Sequence, residues 1–184
     1  MSAYRWLLSH AGELGIDSEK ILVCGDSAGG NLATVLCLMA RDKDLPMPKA
    51  QMLLYPFVDR RMNTESCRRY TDTPMCNSED MRKYLKMYVK DLNAEQLPYL
   101  SPLEAPSLEG MPPAYVEVAQ YDCLHDEGVE YARRLEKCGV PAELHEIEGA
   151  MHGYDIAQGS ELMNGIMKMR LQFWRSKVLI DAEE

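Results

Sequence analysis

The residues with the clearest chemical promise are Gly25-Asp26-Ser27-Ala28-Gly29-Gly30. A short apolar run rich in β-formers, Ile21-Leu22-Val23-Cys24, stops at Gly25, and a helix-forming run begins directly after Ser27. A serine in G-x-S-x-G spacing sits where strand turns sharply into helix, and the residues two before and two after it approach so closely that both must be glycine. The turn strains the serine backbone and lifts the hydroxyl clear of the sheet. The free N–H groups of the helix N-terminus then lie beside it. The chemistry this suits is nucleophilic attack by Ser27 on a carbonyl carbon, with the Ala28 N–H as one oxyanion donor.

Two other uses of such a run fit less well. A phosphate-cradling loop also precedes a helix, but the run lacks the phosphate-loop lysine and the G-x-G-x-x-G spacing, and Asp26 would repel an anion. The run also resembles the G-D-S-G-G of trypsin-like proteases with one residue inserted. There histidine and aspartate precede the serine, whereas His10 alone lies upstream here.

A serine needs a base, and the base needs a third group to hold it. Of the four histidines, His10 falls on a helical stretch and His145 inside a strand. His125 shares the stretch Tyr121-Asp122-Cys123-Leu124-His125-Asp126-Glu127 with several acids and reads as a surface neighbour. His152 follows a strand and has Gly149 and Gly153 close by, so it is the expected base. For the acid, Asp122 comes directly after a strand, while Asp126 and Glu127 open a helix whose dipole they suit. A metal held by Asp122, Cys123 and His125 has no H-E-x-x-H or paired-cysteine spacing behind it. No metal and no cofactor are therefore expected.

The elements that must position these residues follow from periodicity. Tyr4, Leu7, Leu8, Ala11 and Leu14 predict an amphipathic helix over 2–14, stopped by Gly15. Strands are expected at Ile21–Cys24, Met52–Tyr55, Ala114–Ala119 and Ala142–Ile147. Between them fall a helix from Ala28 to about Arg41, with Leu32, Val35, Leu36 and Met39 toward the sheet, and another around Val129, Ala132 and Leu135. A final helix over 160–178 should turn Leu162, Ile166, Met169 and Phe173 inward. Strands alternating with helices imply a parallel sheet. In such a sheet, loops after strand C-terminal ends carry the site. From Asp59 to about Asn93 the composition turns polar, with one apolar helical stripe at Met81, Tyr84, Leu85 and Tyr88 capped by Asn77 or Ser78. This segment, 59–93, reads as a lid-like insertion in a single domain spanning 1–184.

With 184 residues the chain can bury about 70% of its unfolded surface. A net charge of −9 without a basic block argues against nucleic acid or an anionic membrane as partner. The six cysteines are irregularly spaced, the N-terminus has no signal-peptide core, and no apolar run is long enough to span a membrane. These features predict a reduced, cytoplasmic protein.

In the order serine, acid, histidine, the candidates Ser27, Asp122 and His152 resemble the hormone-sensitive-lipase-like esterases among the α/β-hydrolases. Gly25 to Leu32 matches that family's elbow, and Ser101-Pro102-Leu103, Pro112-Pro113-Ala114 and Asp126-Glu127-Gly128 match further landmarks. The resemblance implies an α/β fold, a mainly parallel sheet flanked by helices with a small cap. It implies hydrolysis of short-chain acyl esters, with Ser27 as nucleophile, Asp122 as acid, His152 as base and a small ester as partner. Cys123, His125 and Tyr154 stand where the family usually has proline, arginine and phenylalanine. The family's H-G-G-G loop, which supplies further oxyanion donors, has no counterpart here. The chain is thus expected to correspond to the C-terminal part of such an esterase, with Ile21–Cys24 as an exposed edge open to self-association. The competing expectation is a weak or inactive fragment that acts as a binding module unless completed.

Overall fold

A computed structural model describes residues 1–89 and 93–178. Residues 90–92, which close the expected insertion, and 179–184, the end of the expected domain, lie outside the described residues. Helix α1 (Ser2–Leu14) ends on Gly15 at φ 65°, and strand β1 (Leu22–Asp26) leads into α2 (Ala28–Arg41). Strand β2 (Ala50–Leu54) is followed by α3 (Glu65–Arg69) and α4 (Ser78–Tyr88), then β3 (Ala114–Tyr121), α5 (His125–Lys137), β4 (Ala142–Met151) and α6 (Glu161–Val178). Asn77 caps α4, its side chain accepting from Asp80 N–H.

The four strands form one parallel sheet in the order β1-β2-β3-β4. Among the described residues β1 pairs with β2 alone. Helices α2 and α5 cover one face, where Ala33, Cys37, Leu38, Ala132 and Leu135 pack on Leu53, Val116 and Val118. Helix α6 covers the other, with Met163, Ile166 and Phe173 against Met52, Tyr115 and Ile147. Burial on both faces is why β2 and β3 read as nearly continuous apolar runs.

Two helix faces differ from expectation. In α2, Leu32 is 59% exposed, and the small side chains Ala33 and Cys37 pack inward instead. The elbow holds the start of α2 so close to the chain after β2 that a Cβ on Gly30 would lie 2.7 Å from Pro56 Cβ, which leaves no room for a side chain at that position. In α6, Leu162 is exposed and Met163 takes its place inside. Strands β3 and β4 also run beyond their expected ends, to Tyr121 and Met151. Among the described residues no helix is long and apolar enough to cross a membrane.

Candidate active site

Three strands end at the same edge of the sheet, and the residue after each end is chemically distinctive. Ser27 follows β1, Asp122 follows β3 and His152 follows β4. The structure brings the three into one line. His152 Nε2 lies 2.9 Å from Ser27 Oγ, and His152 Nδ1 lies 2.6 Å from Asp122 Oδ2.

The elbow explains how Ser27 reaches that position. Its backbone has φ 51° and ψ −118°, an uncommon conformation for a non-glycine residue. A Cβ on Gly25 would fall 2.1 Å from Gly29 O, so the turn closes only with glycine there. Ser27 N–H donates to Leu54 O of β2, and Ser27 O accepts from Phe57 N–H. Ala28, the first residue of α2, borders the same cavity as Ser27 and His152, and first-turn N–H groups have no intrahelical acceptor.

Asp122 is fully buried. Its Oδ1 accepts the Leu124 N–H at 2.9 Å, which fixes the carboxylate while Oδ2 faces His152. Burial works against the imidazolium of His152. The hydrogen bond and charge of Asp122 outweigh it, so the pKa of His152 is held above its ordinary value. Tyr55 packs its ring on the imidazole, centroids 4.7 Å apart, and its hydroxyl donates to Asp155 at 2.7 Å. Tyr55 itself adopts φ 36°.

The other histidines lie elsewhere. His125 turns to Asp126, 2.8 Å away, and His145 packs on Tyr115. His10 stacks on Trp6. Asp126 accepts from Ser66 N–H at 2.9 Å. Glu127 does more than suit a helix dipole. It is fully buried, and its Oε1 accepts from Val58 N–H at 2.6 Å and Asp59 N–H at 3.2 Å, tying α5 to the chain after β2.

A cavity of about 440 Å³ opens at Ser27 and His152, walled by Leu32, Phe57, Met81, Leu85 and Tyr88. The exposed side of α2 and the apolar stripe of α4 therefore face the same space. Buried Asn31 braces its floor, donating to Phe57 O and Leu100 O at 2.9 Å each. Among the described residues, one group has metal-ligating atoms close together, within 4.8 Å: Cys76, Asp122 and Cys123. The set Asp122, Cys123 and His125 is not assembled, because His125 points away.

Sequence reasoning missed the support beneath this site. Glu117 in β3 is fully buried, and Arg170 of α6 donates to it twice, at 2.9 and 2.6 Å. Tyr115 and Tyr154 also donate to Glu117. The available signals were a lone glutamate within the apolar run 114–119 and a lone arginine at the helical spacing of Ile166 and Phe173.

A serine on a strand-to-helix elbow, with acid and histidine from later strand ends of a parallel sheet, defines an α/β-hydrolase. A family model described as the alpha/beta hydrolase fold matches residues 1–156, and the chain belongs to that family. It is 36% identical to an ethyl acetate hydrolase of Pseudomonas putida over 156 residues, covering 84% of this chain and 49% of the relative. It is 39% identical to an arylesterase of Saccharolobus solfataricus over 154 residues, covering 83% and 50%. Among solved structures, a thermostable esterase from Pseudomonas putida superposes with TM-score 0.89 at 31% identity, over 96% of this chain and 57% of that one. The chain thus spans about half the length of the curated relatives it matches.

Proposed function

We propose that this chain carries the reacting groups of a serine carboxylesterase acting on short-chain acyl esters. Ser27 attacks the ester carbonyl while His152 takes its proton, and Asp122 orients the imidazole and stabilises its charged form. Ala28 N–H donates to the oxyanion. His152 then protonates the leaving alcohol, and water hydrolyses the acyl-serine by the same route. The observation that carries this reading is the unbroken line from Ser27 Oγ through His152 to Asp122, at 2.9 and 2.6 Å. The names of the relatives, which include an ethyl acetate hydrolase and an arylesterase, support it. The apolar cavity offers room for a small acyl or aromatic group.

A second reading rests on two observations: the chain spans about half of its relatives' length, and β1 pairs on one side alone among the described residues. Here the oxyanion site is completed by N–H groups from outside this sequence, and β1 joins a further strand or a second copy. The segment from Asp59 then acts as a lid over Ser27.

Hydrolysis of p-nitrophenyl acetate by this chain, compared with its Ser27→Ala variant, tests the first reading. Hydrolysis that disappears in Ser27→Ala supports it, and a rate equal in both proteins overturns it. An inert chain that gains Ser27-dependent activity when an H-G-G-G-containing segment is added supports the second.

A further inference from the structure

We infer that Cys76 and Cys123 form a reversible oxidation site, at which a peroxide closes a disulfide linking the cavity wall to the turn that holds Asp122. Their sulfurs stand 3.8 Å apart, so an approach of less than about 2 Å brings them to the bonding distance of about 2.0 Å. They belong to separate parts of the chain. Cys76 immediately precedes Asn77, the cap of α4, and Cys123 immediately follows Asp122. Both are free thiols.

The two thiols are unequal in a way that sets the order of events. Cys76 borders the cavity shared with Ser27 and His152, within reach of a molecule as small as hydrogen peroxide. Cys123 is fully enclosed. The sulfurs share one contact in which either S–H could be the donor; with Cys123 donating, the Cys76 thiolate is favoured against the opposing effect of burial. The contact with Cys76 and, after it, burial push the Cys123 pKa up. Because a peroxide can reach Cys76 from the cavity but not the enclosed Cys123, Cys76 is the attacking sulfur and Cys123 the resolving one.

The reaction balances in two steps. The Cys76 thiolate attacks one peroxide oxygen, the O–O bond breaks, and hydroxide leaves with a sulfenic acid formed on Cys76. The Cys123 sulfur then attacks the Cys76 sulfur, the S–O bond breaks, and water departs carrying the Cys123 proton. Peroxide gains the two electrons that the thiols lose, and a dithiol reductant reverses the change.

The bond would tie the N-terminal end of α4 to the turn whose Leu124 N–H holds Asp122. The turn has little freedom to follow, because Ser66 Oγ and Cys67 Sγ both donate to Cys123 O. Linkage therefore strains the contact between Asp122 and His152 and fixes one wall of the cavity. The link itself stands apart from the esterase reading, whereas its effect on turnover rests on that reading.

The test treats the reduced chain with hydrogen peroxide and maps it after trypsin, which separates Cys67, Cys76 and Cys123 because Arg69 and Arg82 lie between them. The peptide level is the proper readout, since peroxide also adds oxygen to methionine. The expected product joins the Cys76 and Cys123 peptides with loss of two hydrogens, disappears on adding dithiothreitol, and persists in Cys67→Ser. A link from Cys67 to Cys123, a link between molecules, or sulfinic acid on Cys76 without any link overturns the inference. Labelling of Ser27 by a fluorophosphonate, before and after oxidation, separates the two claims. A mapped link in a chain that never labels, even with an H-G-G-G-containing segment added, leaves the oxidation site standing and removes the esterase reading.

Discussion

His152 Nδ1 and Asp122 Oδ2 are 2.6 Å apart in a pocket that leaves Asp122 without solvent contact. Asp122 holds the His152 pKa above its ordinary value of 6.5, although burial alone would lower it. In the proposed mechanism the neutral imidazole is the base, so kcat/KM for an ester should climb with pH through a limb placed above 6.5. In Asp122→Asn that limb should move to lower pH, and kcat should fall by about 10⁴ as the wrong tautomer is favoured. The stability effect has the opposite pH sense. A raised folded-state pKa stabilises fully below the unfolded value and is lost as pH rises through the folded one. Urea unfolding should therefore show Asp122→Asn losing more stability at pH 5 than at pH 9, and an equal loss at both would disprove the coupling.

Gly25 offers a test of the elbow that leaves the side chains of Ser27, Asp122 and His152 untouched. A methyl group there would meet Gly29 O at 2.1 Å and Gly30 N at 2.7 Å. Both are backbone atoms that cannot rotate away. Gly25→Ala should cost at least the roughly 1–3 kcal/mol typical of overpacking, and it should displace Ser27 from His152. Loss of fluorophosphonate labelling under conditions where circular dichroism still reports a folded chain is the expected result. Normal labelling would mean that the turn tolerates an opening of more than an ångström.

The expected lid can be examined through backbone protection. Helix α4 has Ser78 as its one buried residue, and Tyr84, Met87 and Tyr88 are exposed. All five residues of β2, by contrast, are buried. A segment with so little burial opens locally at low free energy. Amide hydrogens of α4 should exchange well before those of β2 and also before those of β1, and a small acyl-phosphonate on Ser27 should slow α4 selectively. Equal protection in α4 and the strands would make it an ordinary surface helix.

What could be read from the sequence divides along physical lines. The placement of Ser27 was legible because an elbow restricts the residues at both flanks, that of Asp122 because it comes directly after an apolar strand, and that of His152 because it follows a strand and has glycines close by. The inward face of α2 was legible only in part, with Val35 buried as expected and Leu32 turned outward. In the first turn the tight approach at Gly30 admits no side chain, and Leu32 faces the cavity. Glu127 was read by its helix position alone, and nothing in the local pattern announces that Val58 and Asp59, distant in sequence, offer their N–H groups to it. Glu117 and Arg170 are 53 residues apart, and their pairing depends on which face of β3 meets α6, a tertiary fact. The Cys76 and Cys123 pair is of the same kind.

That buried pair gives the last prediction. Arg170 places two N–H groups on Glu117, and Tyr154, two residues beyond His152, donates to the same carboxylate. Burial penalises the Arg170 guanidinium, but the hydrogen bonds and charge of Glu117 more than compensate and raise its pKa. Removing one partner leaves a charge enclosed without its counterion, which costs about 3–5 kcal/mol, whereas replacing both by apolar groups of similar volume is often close to neutral. Arg170→Met should therefore destabilise the chain by that amount in urea unfolding, and the double variant Glu117→Leu with Arg170→Met should recover most of it. The double variant frees the Tyr154 hydroxyl from its acceptor, so its effect on the base should outlast the recovery of stability. Esterase kcat should stay depressed in the refolded double variant while KM changes little, because the cavity wall is formed by other residues. A double variant as unstable as Arg170→Met would show that the carboxylate is needed for more than its ion pair, with the two tyrosine hydroxyls as the groups left unsatisfied.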